Sequence, residues 1–296
     1  MHQIILSIGF GIVTASILSM GAVGFTLQFG VTNLFNLAFG DVMTIAAFVA
    51  YVVHNDAGAS IWLALAAGGA AGMLSSVLIA RLIYLPFMQR GTSQFAMVMV
   101  TVAVSIVFNN VLQIFSGTGF YGYALLPQAS VHILGMVFTP RELVIIALAV
   151  VCMAGLHLLF KYTRIGKAMR ATSDDASLAR TCGIPTNRVT NFAWLASGLL
   201  CGLAGVALAM DLGTFSATTG GSFLLVIVAA AVFGSVGEPY GAMVGALVIG
   251  VASELAAVIS PDLKDVVAFG LLVVVLLVRP EGLRSGRVQI RGEVTR

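Results

Sequence analysis

The sequence predicts an all-α membrane protein, a polytopic bundle of about eight to ten transmembrane helices with at least one broken helix. Of its 296 residues 59% are hydrophobic and only 9% are charged, whereas soluble domains carry roughly 25% charged residues. The mean hydropathy is +1.04. Apolar runs near the length of about 20 residues that crosses a bilayer recur along the chain, with short polar connections. We therefore treat residues 1–296 as a single transmembrane domain.

The first membrane helix is predicted from Ile4 to about Leu27, and the apolar pattern resumes from Val42 to Val53 after a polar interruption at 28–41. Counted from Asn33, the second crossing is long enough but has a polar first half. Such a broken helix is tolerated at membrane depth only where protein or a water-filled cavity surrounds it. The interruption is therefore a candidate for a solute pathway.

Seven more apolar segments bring the predicted number of crossings to about nine, of which Ser222–Phe233 is short for a crossing. They are Ile61–Leu85, Phe95–Phe115, Leu143–Phe160, Phe192–Met210, Ser222–Phe233, Ala242–Ile259 and Leu263–Val278. Three glycines in the sixth crossing, Gly198, Gly202 and Gly205, predict close helix packing.

Polar side chains inside these segments are the other candidates for a pathway. Asn109 and Gln113 are spaced i, i+4 and share a helix face. Glu254 is costly in hydrocarbon, so it must face protein or water. A weak likeness also relates residues 39–50 to residues 240–251, either as the trace of an inverted repeat or by chance.

Residues 161–191 form a hydrophilic island between two apolar segments. Ile165–Ala171 is predicted as one short helix, and a start signal at residues 172–175 predicts a second helix over Ala176–Cys182. Gly183 then suits the left-handed position after a helix end. The island is predicted to be a compact charged projection suited to a soluble partner, although a solvated loop that merely fixes topology explains its charge equally well.

Placement of the basic residues predicts the topology. Six of the 15 Lys and Arg residues lie in the island and five in the tail at residues 279–296, and both regions are therefore expected in the cytoplasm. The segment from Gly117 to Thr139 contains no Lys or Arg and is expected outside. The N-terminus is then outside and the C-terminus inside, with an odd number of crossings.

Motifs for chemistry within the chain are missing from the sequence. It contains no GxxxxGK[ST] phosphate loop, no HExxH and no GxSxG, and its four histidines are scattered. These observations argue against an enzyme, a metal site and catalytic residues. If the protein moves a solute uphill, the energy must come from an ion gradient or from ATP hydrolysed on a partner.

Two stretches of the sequence carry distinctive motifs. The first stretch is Phe29-Gly30-Val31-Thr32-Asn33-Leu34-Phe35-Asn36-Leu37-Ala38-Phe39-Gly40. The second combines Thr163, Gly166, Ala168, Arg170, Ala171, Asp175, Ala179 and Cys182-Gly183-Ile184 with Ser197-Gly198 and Gly202-Leu203-Ala204-Gly205. Both stretches resemble the branched-chain amino acid permeases of ABC transporters, specifically the shorter of the two permease subunits, and the likeness keeps motif order over most of the chain.

The resemblance implies a multi-pass subunit of an ATP-driven importer in the bacterial inner membrane. Expected partners are a homologous permease, as a homodimer or heterodimer, two cytoplasmic ABC ATPases, an external solute-binding protein and the lipid bilayer, with no nucleic acid. No cofactor is expected in this chain, while ATP and Mg would be bound by the ATPases. The cargo would be a branched-chain or related amino acid.

On this resemblance, the island at 161–191 becomes a cytoplasmic coupling loop that contains a coupling helix. The residues expected to contact the ATPase or shape the loop are Gly166, Lys167, Arg170, Asp174, Asp175, Arg180 and Gly183. The residues expected along the solute path are Asn33, Asn36, Asp41, Asn109 and Gln113, which could instead form interhelical hydrogen bonds. An ion-coupled secondary transporter or channel that works without an ATPase is the alternative function, motivated by Asp41 and Glu254.

Overall fold

The structure is a computed structural model that describes residues 2–123, 131–133, 136–261 and 263–278. The predicted basic tail at 279–296 lies outside the described residues. Twelve helices and one antiparallel hairpin occur within the described ranges. They are α1 (His2–Thr32), α2 (Phe39–Tyr51), α3 (Ile61–Ile79), α4 (Leu85–Gln89), α5 (Gln94–Ser116), β1 (Val131–Ile133), β2 (Met136–Phe138), α6 (Pro140–Tyr162), α7 (Arg164–Asp174), α8 (Ala176–Thr181), α9 (Thr186–Leu212), α10 (Thr219–Gly234), α11 (Pro239–Ala257) and α12 (Leu263–Val278).

The polytopic helical fold predicted from composition is confirmed. Among the described residues, six helical segments are long and apolar enough to cross a membrane, and α10 is a shorter apolar helix. The longest segments reach 29 residues, and one of them joins α3 to α4 through a π-helical turn at Ala80–Tyr84. The described strands form a hairpin within the segment predicted to be an external loop.

Two helices extend well beyond their predicted bounds. Helix α1 continues to Thr32 rather than ending near Leu27, because the Thr32 hydroxyl donates to the carbonyl of Gln28 at 2.7 Å and its polarity is satisfied within the helix. Helix α9 begins at Thr186, six residues before the predicted start, directly after Pro185. Proline favours helix starts because the first turn does not need its missing N–H. The chain therefore leaves the hydrophilic island already helical.

Helices α3 and α9 run antiparallel at backbone contact distance. A Cβ added to Gly72 would lie 2.6 Å from the Cα of Gly202, and one added to Gly198 would lie 3.0 Å from the Cα of Met73. Gly205 similarly meets the backbone of Met43 on α2. The sixth predicted crossing is thus held by two neighbouring helices that its glycines allow to approach.

A second helix–break–helix unit repeats the first. The break after α1 covers residues 33–38 and the break after α9 covers residues 213–218, and each opens with a residue of positive φ, Asn33 (51°) and Gly213 (73°). If α1 corresponds to α9, then α11 corresponds to α3. The helix contacts follow this correspondence, because α1 packs extensively on α11 and α9 packs extensively on α3. Helix α2 therefore corresponds to α10, and the likeness that the sequence suggested between α2 and α11 pairs the wrong elements.

The two breaks meet where α2 and α10 begin. Gly40 and Gly220 each lie against the backbone of the other, so a Cβ at either position would collide with that backbone. The Thr44 hydroxyl accepts a hydrogen bond from the Gly220 amide at 3.1 Å and donates to the Gly40 carbonyl at 3.1 Å. The broken segments thus form one buried junction in the middle of the bundle.

Candidate coupling projection and solute pathway

The projection formed by α7 and α8 is fixed to the end of α6. The Thr163 hydroxyl caps α7 by accepting from the Gly166 amide at 3.0 Å. Gly166 is buried against the Leu159 carbonyl and the Cα of Phe160, which leaves no room for a side chain. The Arg170 guanidinium donates to the Phe160 carbonyl at 2.6 Å. These contacts make α7 a rigid continuation of the α6 terminus.

Helix α7 also packs on the transmembrane core. Met169 and Thr172 are buried on its inner face, and the helix contacts α1 and α9 as well as α6 and α8. A force on the projection would therefore act on three membrane helices at once.

Helix α8 is preceded by the N-cap residue Asp175 and is followed, after its C-cap Cys182, by Gly183. The Asp175 carboxylate accepts from the amides of Ser177 (2.8 Å) and Leu178 (3.0 Å), so Asp175 itself is the cap and the start signal at 172–175 is placed too early. These hydrogen bonds, the Leu178 amide first, hold the pKa of the Asp175 carboxyl below its usual range.

The end of α8 is a Schellman motif. Gly183 has φ +83°, and the amide of Ile184 donates to the carbonyl of Ala179 at 3.0 Å. The left-handed glycine predicted from the sequence is therefore confirmed, and it turns the chain toward α9.

The outer surface of the projection is charged but also apolar. Lys167, Arg170, Asp174, Asp175 and Arg180 are all exposed, and their contact with an ATPase stays a prediction. Two apolar side chains that the sequence analysis did not single out are exposed beside them.

The missed residues are Leu178, which is 61% exposed, and Ile165, which is 44% exposed. Their signal is the presence of large apolar residues inside a hydrophilic segment. Burial of these side chains against a partner would be favourable, because it removes apolar surface from water.

The predicted pathway residues separate into two groups, of which the first lies at the end of α1. Asn36 is buried and donates to Gln28 Oε1 (3.4 Å), while its own Oδ1 accepts from the Tyr84 hydroxyl (2.8 Å). Asn33 is exposed, and its backbone carbonyl accepts from the side-chain Nε2 of Gln94 at 3.5 Å. Asn36 therefore links the first break to the π-helical turn between α3 and α4, and Asn33 lies at the surface of the break.

The second group lies between α2 and α5. Asp41 is only 2% exposed, and the polar side chains of Ser105 and Asn109 lie close to its carboxylate. Gln113 donates to Asn109, which in turn donates to the carbonyl of Ala217 in the second break at 3.2 Å. One buried oxygen of Asp41, Oδ2, has no hydrogen-bond partner among the described residues.

A cluster of aromatic rings beyond α2 was not anticipated from the sequence. Phe215, in the second break, packs edge-on against Phe48 at 5.0 Å between ring centroids and stacks on Tyr123 at 5.8 Å. Tyr121 forms a backbone bridge with Phe215, and the Tyr123 hydroxyl donates to the Ala47 carbonyl at 2.9 Å. This cluster closes the bundle at the end of α2 opposite the Gly40 junction.

Glu254 is paired rather than isolated. Its Oε1 lies 2.7 Å from Lys264 Nζ and accepts from the Thr14 hydroxyl at 2.9 Å. The pair joins α11 to α12 and α1. The ion pair and the hydrogen bond offset the electrostatic cost expected for a carboxylate inside an apolar segment.

Comparisons with known proteins agree with this architecture. A family described as the permease component of branched-chain amino acid transport systems matches residues 7–276. The high-affinity branched-chain amino acid transport system permease protein LivH of Escherichia coli K12 is 29% identical over 304 residues, covering 95% of this chain and 94% of that protein. The corresponding permease protein BraD of Pseudomonas aeruginosa is 30% identical, covering 95% of each.

A solved structure is similar in fold. It is PsaBC from Streptococcus pneumoniae in complex with Fab, with a TM-score of 0.51, 14% sequence identity, and coverage of 92% of this chain and 91% of that chain. At this level of identity the likeness concerns the fold alone.

Proposed function

Because the chain belongs to the family of permease components of branched-chain amino acid transport systems, we propose that it forms part of the membrane pathway of an ATP-driven amino acid importer. The imported solute is a branched-chain or related amino acid. ATP and Mg are bound by separate cytoplasmic ATPase subunits, and this chain carries out no chemistry.

The observation that carries this proposal is the construction of the α7–α8 projection. A solvated loop that only fixed topology would not need a glycine wedged against Phe160, a capped second helix and a Schellman end. The projection instead presents Leu178 and Ile165 among charges on a rigid support. These features suit insertion into a cleft of a soluble partner.

Movement of the ATPases would be transmitted through the packing of α7. The Arg170 contact with Phe160 and the buried Met169 couple the projection to α6 and to the core. Helix α9 leaves the projection directly and carries the second break at its far end. A displacement of α7 and α9 would therefore reach the junction of Gly40 and Gly220.

The solute path is assigned to the polar group around Asp41. Asn109 and Gln113 provide donors and acceptors between α5 and the second break, and Asn36 and Asn33 continue the polar line toward the projection. The buried state of Asp41 corresponds to a closed pathway. Opening would hydrate this group as the two breaks separate.

The assembly requires further subunits. We place a second, homologous permease beside this chain, two ATPases under the projection and a solute-binding protein on the opposite side. The projection and the tail at 279–296 are then cytoplasmic, and the N-terminus is external.

Reconstitution in proteoliposomes tests the proposal. The chain is combined with its partner permease, ATPases and binding protein, and uptake of labelled leucine is measured with ATP inside. Uptake should require ATP and should be abolished by Lys167→Glu combined with Asp174→Lys, with loss of ATPase co-purification. The control Arg90→Glu changes an exposed basic residue outside the projection and should leave both unchanged.

A secondary transporter is the competing function, favoured by the unpartnered oxygen of Asp41 inside the bundle. Uptake by this chain alone, driven by a proton or sodium gradient and independent of ATP, would support that function. The same result would refute the ABC importer.

A further inference from the structure

A large groove lies beside the projection, between α1, α4, α8 and the start of α9. Its volume is about 1280 Å³, and three arginines line it: Arg81, Arg180 and Arg188. Thr32, Asn187 and Asn191 add neutral hydrogen-bonding groups. The groove is therefore built to receive a polar ligand.

The charge of the groove is of one sign. No Asp or Glu occurs among the described residues that line it. Within the described ranges the ion pair found is that of Lys264 with Glu254, so the three exposed guanidinium groups have no carboxylate partner there. Such a set of unpaired cations favours an anion.

The position of Arg81 relates the groove to the membrane. The membrane span that contains Arg81 begins at Ile61. The helix rises about 30 Å between these two residues, which equals the thickness of the hydrocarbon core. This places its guanidinium at the level of the lipid headgroups. Soluble partners approach from the aqueous side of that level.

An apolar stripe leads from the bilayer to the groove. Leu74, Leu78 and Leu82 are all exposed and are spaced four residues apart, so they share one face of the helix. Arg81 follows Leu78 by three residues and is therefore a neighbour of this stripe on the helix surface. An acyl chain lying along this stripe would bring its phosphate to the mouth of the groove.

We propose that this groove binds the headgroup of an anionic phospholipid of the cytoplasmic leaflet, with its phosphate between Arg81 and Arg188 and one acyl chain on the leucine stripe. Basic pockets between membrane helices on the cytoplasmic side suit such headgroups. Because the groove adjoins α8 and the first break, the bound lipid would brace the projection against α1 and α4. This inference does not depend on the transported solute.

Lipid titration monitored by native mass spectrometry tests the proposal. The full-length chain in neutral detergent is titrated with phosphatidylglycerol and, separately, with phosphatidylcholine of the same acyl chains. Each basic side chain contributes about fivefold to anionic lipid binding, so Arg81→Gln combined with Arg188→Gln should weaken phosphatidylglycerol binding about thirtyfold. Phosphatidylcholine binding should not change.

Two further variants separate charge from folding. Arg81→Lys combined with Arg188→Lys keeps the charge and should retain most of the phosphatidylglycerol affinity. Arg90→Gln, at the same end of the span but outside the groove, should bind like the unmodified chain. Equal affinity of the glutamine double variant and the unmodified chain would overturn the proposal.

The source of the anion is distinguished in the same experiment. Glycerol phosphate at matched concentration should fail to displace phosphatidylglycerol, because it lacks the acyl chain for the leucine stripe. If glycerol phosphate competes equally, the site is a soluble-anion site and the lipid assignment is wrong. ATPase co-purification is also compared between the glutamine double variant and the unmodified chain in phosphatidylcholine alone, where no anionic lipid is present. If only the variant loses the ATPase there, the groove contacts the protein partner directly, which also overturns the proposal.

Discussion

Replacement of Leu178 by alanine is the sharpest single test of the projection. Full burial of a leucine side chain stabilises an interface by about 1.5–3 kcal/mol. Leu178 is 61% exposed, so about three fifths of that free energy, roughly 1–2 kcal/mol, remains to be gained on docking. Leu178→Ala should therefore weaken ATPase binding about 5- to 30-fold.

The assay is the affinity of the purified ATPase for the permease in nanodiscs, measured by biolayer interferometry. Phe120→Ala removes a larger exposed apolar side chain from the loop between α5 and β1, which is predicted to be external, and serves as the control with unchanged affinity. Since Leu178 takes part in the α8 cap and in the helix through its backbone amide and carbonyl, which alanine retains, the variant should keep the projection folded. An affinity within twofold of the unmodified chain would refute docking through this face.

Two other predictions concern the support of the projection. Gly166→Leu places a side chain against the backbone of Leu159 and Phe160 and should destabilise the contact between α6 and α7 by about 1–3 kcal/mol. The measurement is limited proteolysis, in which the island should be cleaved faster while membrane insertion stays normal. Intact protection from proteolysis would contradict the close contact.

The pKa of Asp175 is depressed, so its contribution to α8 is present above the ordinary aspartate value of about 4 and is lost as the pH falls through the lower folded-state value. The protection factors of the α8 amides in hydrogen exchange, which are corrected for the intrinsic pH dependence of the exchange rate, should therefore fall at acidic pH, and Asp175→Asn should remove this dependence. A pH-independent profile in the unmodified chain would contradict the assigned cap.

Much of the site followed from local patterns. The sequence predicts a left-handed conformation for Gly183 because this glycine follows a short helix and precedes Ile184 and Pro185. Its φ of +83° confirms the prediction. Helix α7 was predicted correctly within a few residues. The cap of α8 was misplaced because Thr172 and Asp175 both offer start signals, and packing of Thr172 inside α7 decides between them.

Long-range relations were not available from local patterns. The repeat of α1 and α2 in α9 and α10 is visible in contacts and in matching breaks, while the residues at those positions share little beyond Gly40 and Gly220. The aromatic cluster around Phe215 joins segments about 90 to 170 residues apart. A contact of this kind leaves no periodic signal in either segment.

Composition and periodicity alone predict a bundle of membrane helices with one water-exposed helical projection. Both features depend on residues that are close together in the sequence, because such residues set the local hydropathy and the helix start signals. The tertiary structure decided which polar groups meet. It brought Asp41 to Asn109 and the Ala217 carbonyl, and it enclosed Asn36 between Gln28 and Tyr84. Those pairings depend on how closely helices approach, which is set by glycine contacts across the bundle.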